Sequence, residues 1–144
     1  MIKITADTNT LVSATIAKGN EFELLKLAKE GKIKLILSLG ILNEFKNVIS
    51  RAKFSYPPEF INDEVKRILE ISEMVFPIEK IDIIKEDPDD NKVLECAYAA
   101  KVDFIVSGDK HLLDLKEYKG IKIMTTKSIL SIIKQNAKIP KKDR

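Results

Sequence analysis

The sequence predicts an α/β fold: one domain with a central, mostly parallel sheet of four or five strands and helices on both faces. Apolar runs of β character alternate with segments of helical periodicity, the pattern of strands joined by helical crossovers. No internal repeat or low-complexity linker interrupts the alternation. The 144 residues, 44% of them hydrophobic, suffice for one sizeable core and are too few for two ordinary domains. We expect a single domain over residues 1–133 and a basic, flexible C-terminal tail over 134–144.

The first strand is expected at Ile2 to Ala6, followed by helical periodicity over Asn9 to Glu30, broken at Gly19-Asn20. Gly31 separates this from a second strand, Ile33 to Leu37, and a helix over Ser38 to Arg51. Tyr56-Pro57-Pro58 marks the next break, before a helix over Pro57 to Glu70 and a third strand, Met74 to Ile78. Glu79 to Glu86 fits strand, loop or helical turn equally. At Asp87-Pro88 a helix starts and runs to Lys101, with Asp87 as N-cap and Pro88 as first helical residue. A fourth strand, Phe104 to Val106, a short helix, Lys110 to Lys116, a fifth strand, Ile121 to Met124, and a helix over Lys127 to Gln135 complete the order.

Composition narrows the function classes. No apolar run approaches the roughly 18 residues of a membrane helix, and MIKITADTNT lacks the basic-then-apolar layout of a secretory signal. A soluble, cytoplasmic protein with no membrane partner is expected. One cysteine closes no intramolecular disulfide, and one histidine argues against a histidine-rich zinc site, so any metal is held mainly by oxygen. Of the formal net charge of +3, the last eleven residues carry +4 through Lys134, Lys138, Lys141, Lys142 and Arg144 against Asp143, leaving the body at −1. The tail is either a solvated end or an electrostatic arm for RNA phosphates. Cys96, beside Ala97 and Ala100, reads as packed rather than reactive. His111 reads as packing or capping near the end of the fourth strand, with metal ligation the alternative.

Ligands of open α/β sheets collect outside the carboxyl ends of the strands, so acids there matter most. Asp7 follows the first strand directly and Asp109 follows the fourth across Ser107-Gly108; each is either a helix N-cap or a site carboxylate. Asp90 is more informative, because with Val93, Leu94 and Ala97 it heads the apolar stripe of its helix. Burying a lone carboxylate there is costly, and a helix N-terminus offsets only about 0.3–1 kcal/mol at exposed sites. A metal or other partner resolves the conflict; the alternative is a first-turn acid that bends out to water. Glu44 lies on the flank of a helix beside Ile41 and Val48, as a surface charge or a group reaching over the sheet's end. Glu95, on the opposite side of its helix from Asp90, reads as a solvated charge.

The order Ala6-Asp7-Thr8-Asn9-Thr10, then Glu44, then Asp87-Pro88-Asp89-Asp90-Asn91-Lys92, then Ser107-Gly108-Asp109-Lys110-His111 resembles the PIN-domain family over roughly residues 2–133. The branch it resembles is the toxin components of bacterial and archaeal toxin–antitoxin systems. The resemblance implies Mg²⁺- or Mn²⁺-dependent hydrolysis of single-stranded RNA, a protein antitoxin as partner, and a homodimer. It maps the catalytic acids onto Asp7, Glu44, Asp90 and Asp109, with Asp7, Asp90 and Asp109 as metal ligands and Glu44 orienting metal or water. Thr8, Asn9 and Ser107 fall at supporting positions. Two departures stand out: His111 occupies a position where some members carry a further acid, and Met124-Thr125-Thr126-Lys127 lacks the proline often found after the last strand.

The residue types suit that chemistry, since clustered carboxylates repel and a hard divalent cation keeps them ionised. Two other readings compete. A phosphatase of the haloacid-dehalogenase type also places an aspartate after a strand, but it requires a second one two residues later, where this chain has Asn9, and it leaves Asp90 unexplained. A noncatalytic PIN-like module binding RNA or protein would not need the four acids.

Overall fold

β1 (Lys3–Ala6) is flanked by strands on both sides, and its consecutive residues Ile4, Thr5 and Ala6 are all fully buried. Because successive side chains of a strand point to opposite faces, burial of a whole run requires cover on both faces. Thr5 is tolerated there because its hydroxyl donates to the carbonyl of Ile36, 3.0 Å away. The computed structural model describes residues 1–138, so Lys141, Lys142 and Arg144 of the expected tail lie outside the described residues.

Along the chain, β1 is followed by α1 (Thr8–Ile16), α2 (Asn20–Lys29), β2 (Lys34–Ser38), α3 (Leu39–Ile49), α4 (Pro58–Ile71) and β3 (Ser72–Val75). Then come α5 (Asn91–Ala100), β4 (Phe104–Val106), α6 (Lys110–Leu115), β5 (Glu117–Tyr118), β6 (Ile121–Met124) and α7 (Thr126–Lys138). The sheet order is β3-β2-β1-β4-β6-β5, with every pairing parallel except β5 with β6. Registers Ala6↔Val106 and Ser38↔Val75 bring the carboxyl ends of the parallel strands to one edge. The core joins both faces, with Leu11, Leu24, Phe45, Leu94, Ile105 and Leu112 among its fully buried side chains. No helix among the described residues is long and apolar enough to cross a membrane.

The fold class stands as expected, with local differences. A sixth strand, β5, closes a hairpin whose turn residues Lys119 and Gly120 have φ of 47° and 83°, the doubly left-handed turn that matches strand twist. β3 starts directly after α4, two residues before the expected Met74, and stops at Val75; Pro77 has no N–H to extend the ladder. α7 continues to Lys138, beyond the expected Gln135, so the first residues of the expected tail are helical. Asp87 is not a side-chain N-cap of a long helix. It precedes a short 3-10 turn (Pro88–Asp90), its carboxylate receives no capping bond, and α5 proper begins at Asn91.

Glu79 to Glu86 forms no regular element, yet Ile81 and Ile84 are buried. α5 holds this stretch through side chains. Asn91 accepts from the amides of Ile83 and Ile84 at 3.1 and 2.9 Å and donates to the carbonyls of Ile84 and Pro88 at 2.9 and 3.1 Å. Glu95 accepts from the amide of Ile81 at 2.9 Å, which corrects its reading as a solvated charge. Asn91→Ala strands these buried backbone groups at once. It should cost about 2–4 kcal/mol in denaturant unfolding, with early proteolytic nicking between residues 76 and 87. A change below 1 kcal/mol would show that the loop is held by its isoleucines alone.

Candidate active site

Adjacent parallel strands place the first pair of site groups side by side. β1 ends at Ala6 and β4 at Val106, so the residues that follow, Asp7 and Ser107, meet across the gap between the strands. Ser107 donates its hydroxyl proton to Asp7 Oδ2 and accepts from the amide of Asp109 at 2.9 Å. Asp7 Oδ1 accepts from Thr10, from its amide at 2.9 Å and its hydroxyl at 2.6 Å, and so caps α1. Asp7 is only 4% exposed. Three donors satisfy its buried oxygens, as a buried polar group requires.

Asp109 caps α6 in the same manner, its Oδ1 accepting from the amides of His111 and Leu112 at 2.8 and 3.3 Å. The cap readings of Asp7 and Asp109 are therefore geometrically correct, and each cap stands at the strand edge. Asp90 differs. Its Oδ2 is enclosed and has no hydrogen-bond partner, and the same holds for Nδ1 of His111. Oxygen atoms of Asp90 and Asp109 and a ring nitrogen of His111 lie within 4.8 Å of one another. The Asp90 carboxyl is pushed up to about 8, first by loss of water, then by the hydrogen bond it shares with Asp109 when protonated, then by the charges of Asp109, Asp87 and Asp7.

Glu44 reaches this edge from the flank of α3. Its carboxyl is also raised, chiefly by burial and by Asp89, with Asp87 and Asp7 adding to the effect and Lys92 opposing it. The Lys92 ammonium lies 3.3 Å from Asp89, and its aliphatic stem passes close over Gly40, where an added Cβ would meet its Cδ at 3.5 Å. Next to Asp109 opens a polar cleft of about 520 Å³, lined in part by Asn9, Ser13, Ser107, Lys110 and Lys127. Thr8 is buried, whereas Asn9 is exposed and faces this cleft. Cys96 is fully buried beside Thr5 and Ile36, and burial pushes its thiol up to about 11, in keeping with a packing role.

All four expected acids thus gather at one edge, but not as one group. Asp90 and Asp109 face each other with His111; Asp7 is joined to Asp109 through Ser107; Glu44 stands outside this group and, among the acids, responds chiefly to Asp89 and Asp87, with Asp7 adding a smaller effect. Sequence reasoning passed over Thr10, whose signal was its place three residues after an N-cap aspartate. It also left open His111, whose only signal was its departure from the resemblance.

An open α/β sheet whose carboxyl edge carries carboxylates from four separate chain segments describes a class of protein more narrowly than fold alone. The model of the family described as PIN domain matches residues 3–111, and the chain belongs to that family, whose members are nucleases. This removes the phosphatase alternative. A chain of VapBC2 from Rickettsia felis, in a structure bound to a DNA fragment from their promoter, is similar over 85% of this chain and 97% of its own length, with TM-score 0.61 and 16% identity. PAE2754 from Pyrobaculum aerophilum is similar over 93% of this chain and 98% of its own, with TM-score 0.58 and 12% identity. At these identities the two structures speak for the fold. No curated protein matches the sequence.

Proposed function

We propose that this protein is a divalent-metal-dependent endoribonuclease that cuts single-stranded RNA, acting in the cytoplasm as the toxin of a toxin–antitoxin pair. The observation that carries the reading is the orphaned Oδ2 of Asp90, enclosed opposite Asp109 at the strand edge. Two facing carboxylates, one without any donor, fit a hard cation that takes oxygen ligands. Asp90 and Asp109 would hold the ion, with Asp7, oriented by Thr10 and Ser107, completing the set directly or through water. When bound, the ion supplies an activated water and stabilises the charge that builds on the phosphoryl oxygens.

The chain's own groups set up the rest. Glu44, whose proton affinity is raised by burial and its acidic neighbours, would orient the attacking water and take up its proton. The cleft beside Asp109 gives an unpaired strand polar partners, and Lys110 and Lys127 on its wall offset the negative edge for an approaching phosphate. The toxin assignment draws on the similarity to a chain of VapBC2; it implies a protein antitoxin, and we extend it to a homodimer.

The test is cleavage of single-stranded RNA by the full chain with Mg²⁺ or Mn²⁺ and with EDTA. Cleavage with either ion and background in EDTA is expected. Full activity in EDTA would overturn the metal mechanism, and no cleavage with either ion across varied RNA would favour the noncatalytic module.

A further inference from the structure

The described residues contain two enclosed side-chain atoms without a hydrogen-bond partner, Asp90 Oδ2 and His111 Nδ1, and both belong to the same three-residue group. We propose that His111 Nδ1 is a nitrogen ligand of the bound cation, and that it biases the site toward a first-row transition ion over Mg²⁺. The proposal rests on the metal-dependent reading above and names the ion class that reading leaves open.

The geometry favours ligation over an ion pair. The main chain of His111 is fixed by its amide bond to Asp109 Oδ1 at 2.8 Å, while Nδ1 stands 3.7 Å from that same oxygen, too far for a hydrogen bond. A proton on Nδ1 would be an enclosed donor facing a carboxylate without bonding it. With the proton on Nε2, the Nδ1 lone pair instead stands 3.7 Å from the Asp109 oxygen, in a group whose ligand atoms all lie within 4.8 Å of one another, which is unfavourable unless a cation lies among them. A shared cation satisfies all three residues together. Neutral imidazole is a common ligand of transition metals, whereas Mg²⁺ prefers oxygen and gives up its waters reluctantly. Two carboxylates with one imidazole therefore discriminate where three carboxylates would not.

Mn²⁺ serves as the paramagnetic probe on the full, metal-stripped chain. Titration followed by EPR, with Mg²⁺ as competitor, should show Mn²⁺ preferred by at least about tenfold, and pulsed EPR should show hyperfine coupling to an imidazole nitrogen. His111→Asn should weaken Mn²⁺ binding by at least about tenfold, the effect that loss of an outer partner alone produces at metal sites, while Mg²⁺ affinity changes less. His111→Asp should restore binding but reduce the preference for Mn²⁺, and the nitrogen coupling should vanish in both variants. Melting in EDTA checks that both variants fold. A wild-type Mn²⁺ complex without nitrogen coupling, or equal losses for both ions in His111→Asn, would overturn the inference and leave the oxygen-ligated metal site standing. A wild-type chain that binds neither ion overturns that site and this inference together.

Discussion

Asp90→Asn is expected to reduce RNA cleavage by at least about 10²-fold, the scale of losing one charge-stabilising group at a reacting centre, while leaving the metal-free protein as stable as wild type or more so. The two outcomes share one cause. Asp90 presents an enclosed oxygen with no donor to a second carboxylate, so in the absence of metal its charge is a liability that asparagine removes at nearly constant volume. The carboxyl is raised from its ordinary 3.8 to about 8 in the folded chain. A group raised in this way contributes fully below its unfolded value, and that contribution is lost as pH rises through the folded value. Metal-free wild type should therefore lose stability between about pH 4 and 8, and Asp90→Asn should lose less across the same window. Divalent metal should stabilise wild type and do little for the variant, because only the carboxylate binds the cation. Thermal melts in EDTA and in Mn²⁺ at several pH values, beside a cleavage assay, test all of this. Glu95→Gln is the control: glutamine can still accept from the Ile81 amide, so cleavage and metal response should stay near wild type. A variant melting well below wild type in EDTA at pH 8 would show that the charge of Asp90 is already compensated within the fold.

The contrast between Asp90 and Asp7 also marks what the sequence could disclose. Asp7 and Asp109 were legible because Asp7 directly follows one strand and Asp109 follows another across only Ser107-Gly108, and the edge they occupy is dictated by strand direction. Asp90 was legible as a conflict, an acid at the head of an apolar stripe, and the enclosed, unpartnered oxygen is that conflict in three dimensions. The strand Phe104–Val106 matches expectation because a buried parallel strand is written as an unbroken apolar run, and Ile121–Met124 because buried Ile121 and Ile123 alternate with exposed Lys122, the period of a half-buried strand. Residues 79–86 were illegible because what orders them is the amide of Asn91 and the carboxylate of Glu95, and side-chain bonds to loop backbone leave no periodicity. β5 was missed because two residues carry no pattern; its hairpin is specified by the left-handed Lys119-Gly120 turn. The bridging of Asp7 to Asp109 by Ser107 was similarly hidden, since it depends on the register between β1 and β4 rather than on spacing along the chain.

Asp7 should respond to substitution with the opposite stability sign from Asp90. Its two oxygens receive the Thr10 amide, the Thr10 hydroxyl and the Ser107 hydroxyl, and it is buried. Asp7→Ala removes the cap of α1 and leaves buried donors without acceptors, a loss of about 2–4 kcal/mol on the scale of a capping residue plus an unsatisfied polar group. Asp7→Asn can keep the Thr10 bonds through its carbonyl oxygen. Its amide then faces Ser107, whose oxygen can accept while its own proton loses a partner, so the cost should stay near 1 kcal/mol. Both variants should lose cleavage by at least about 10²-fold, because both remove the negative charge at the strand edge. Urea unfolding in EDTA separates the two contributions: alanine well below asparagine, asparagine close to wild type, and neither active. If Asp7→Asn retains cleavage, Asp7 is a helix cap alone and the catalytic set reduces to the residues around Asp90 and Asp109. If Asp7→Ala is as stable as wild type, the three bonds at Asp7 contribute no net stability, and its burial reflects selection for the site rather than for the fold.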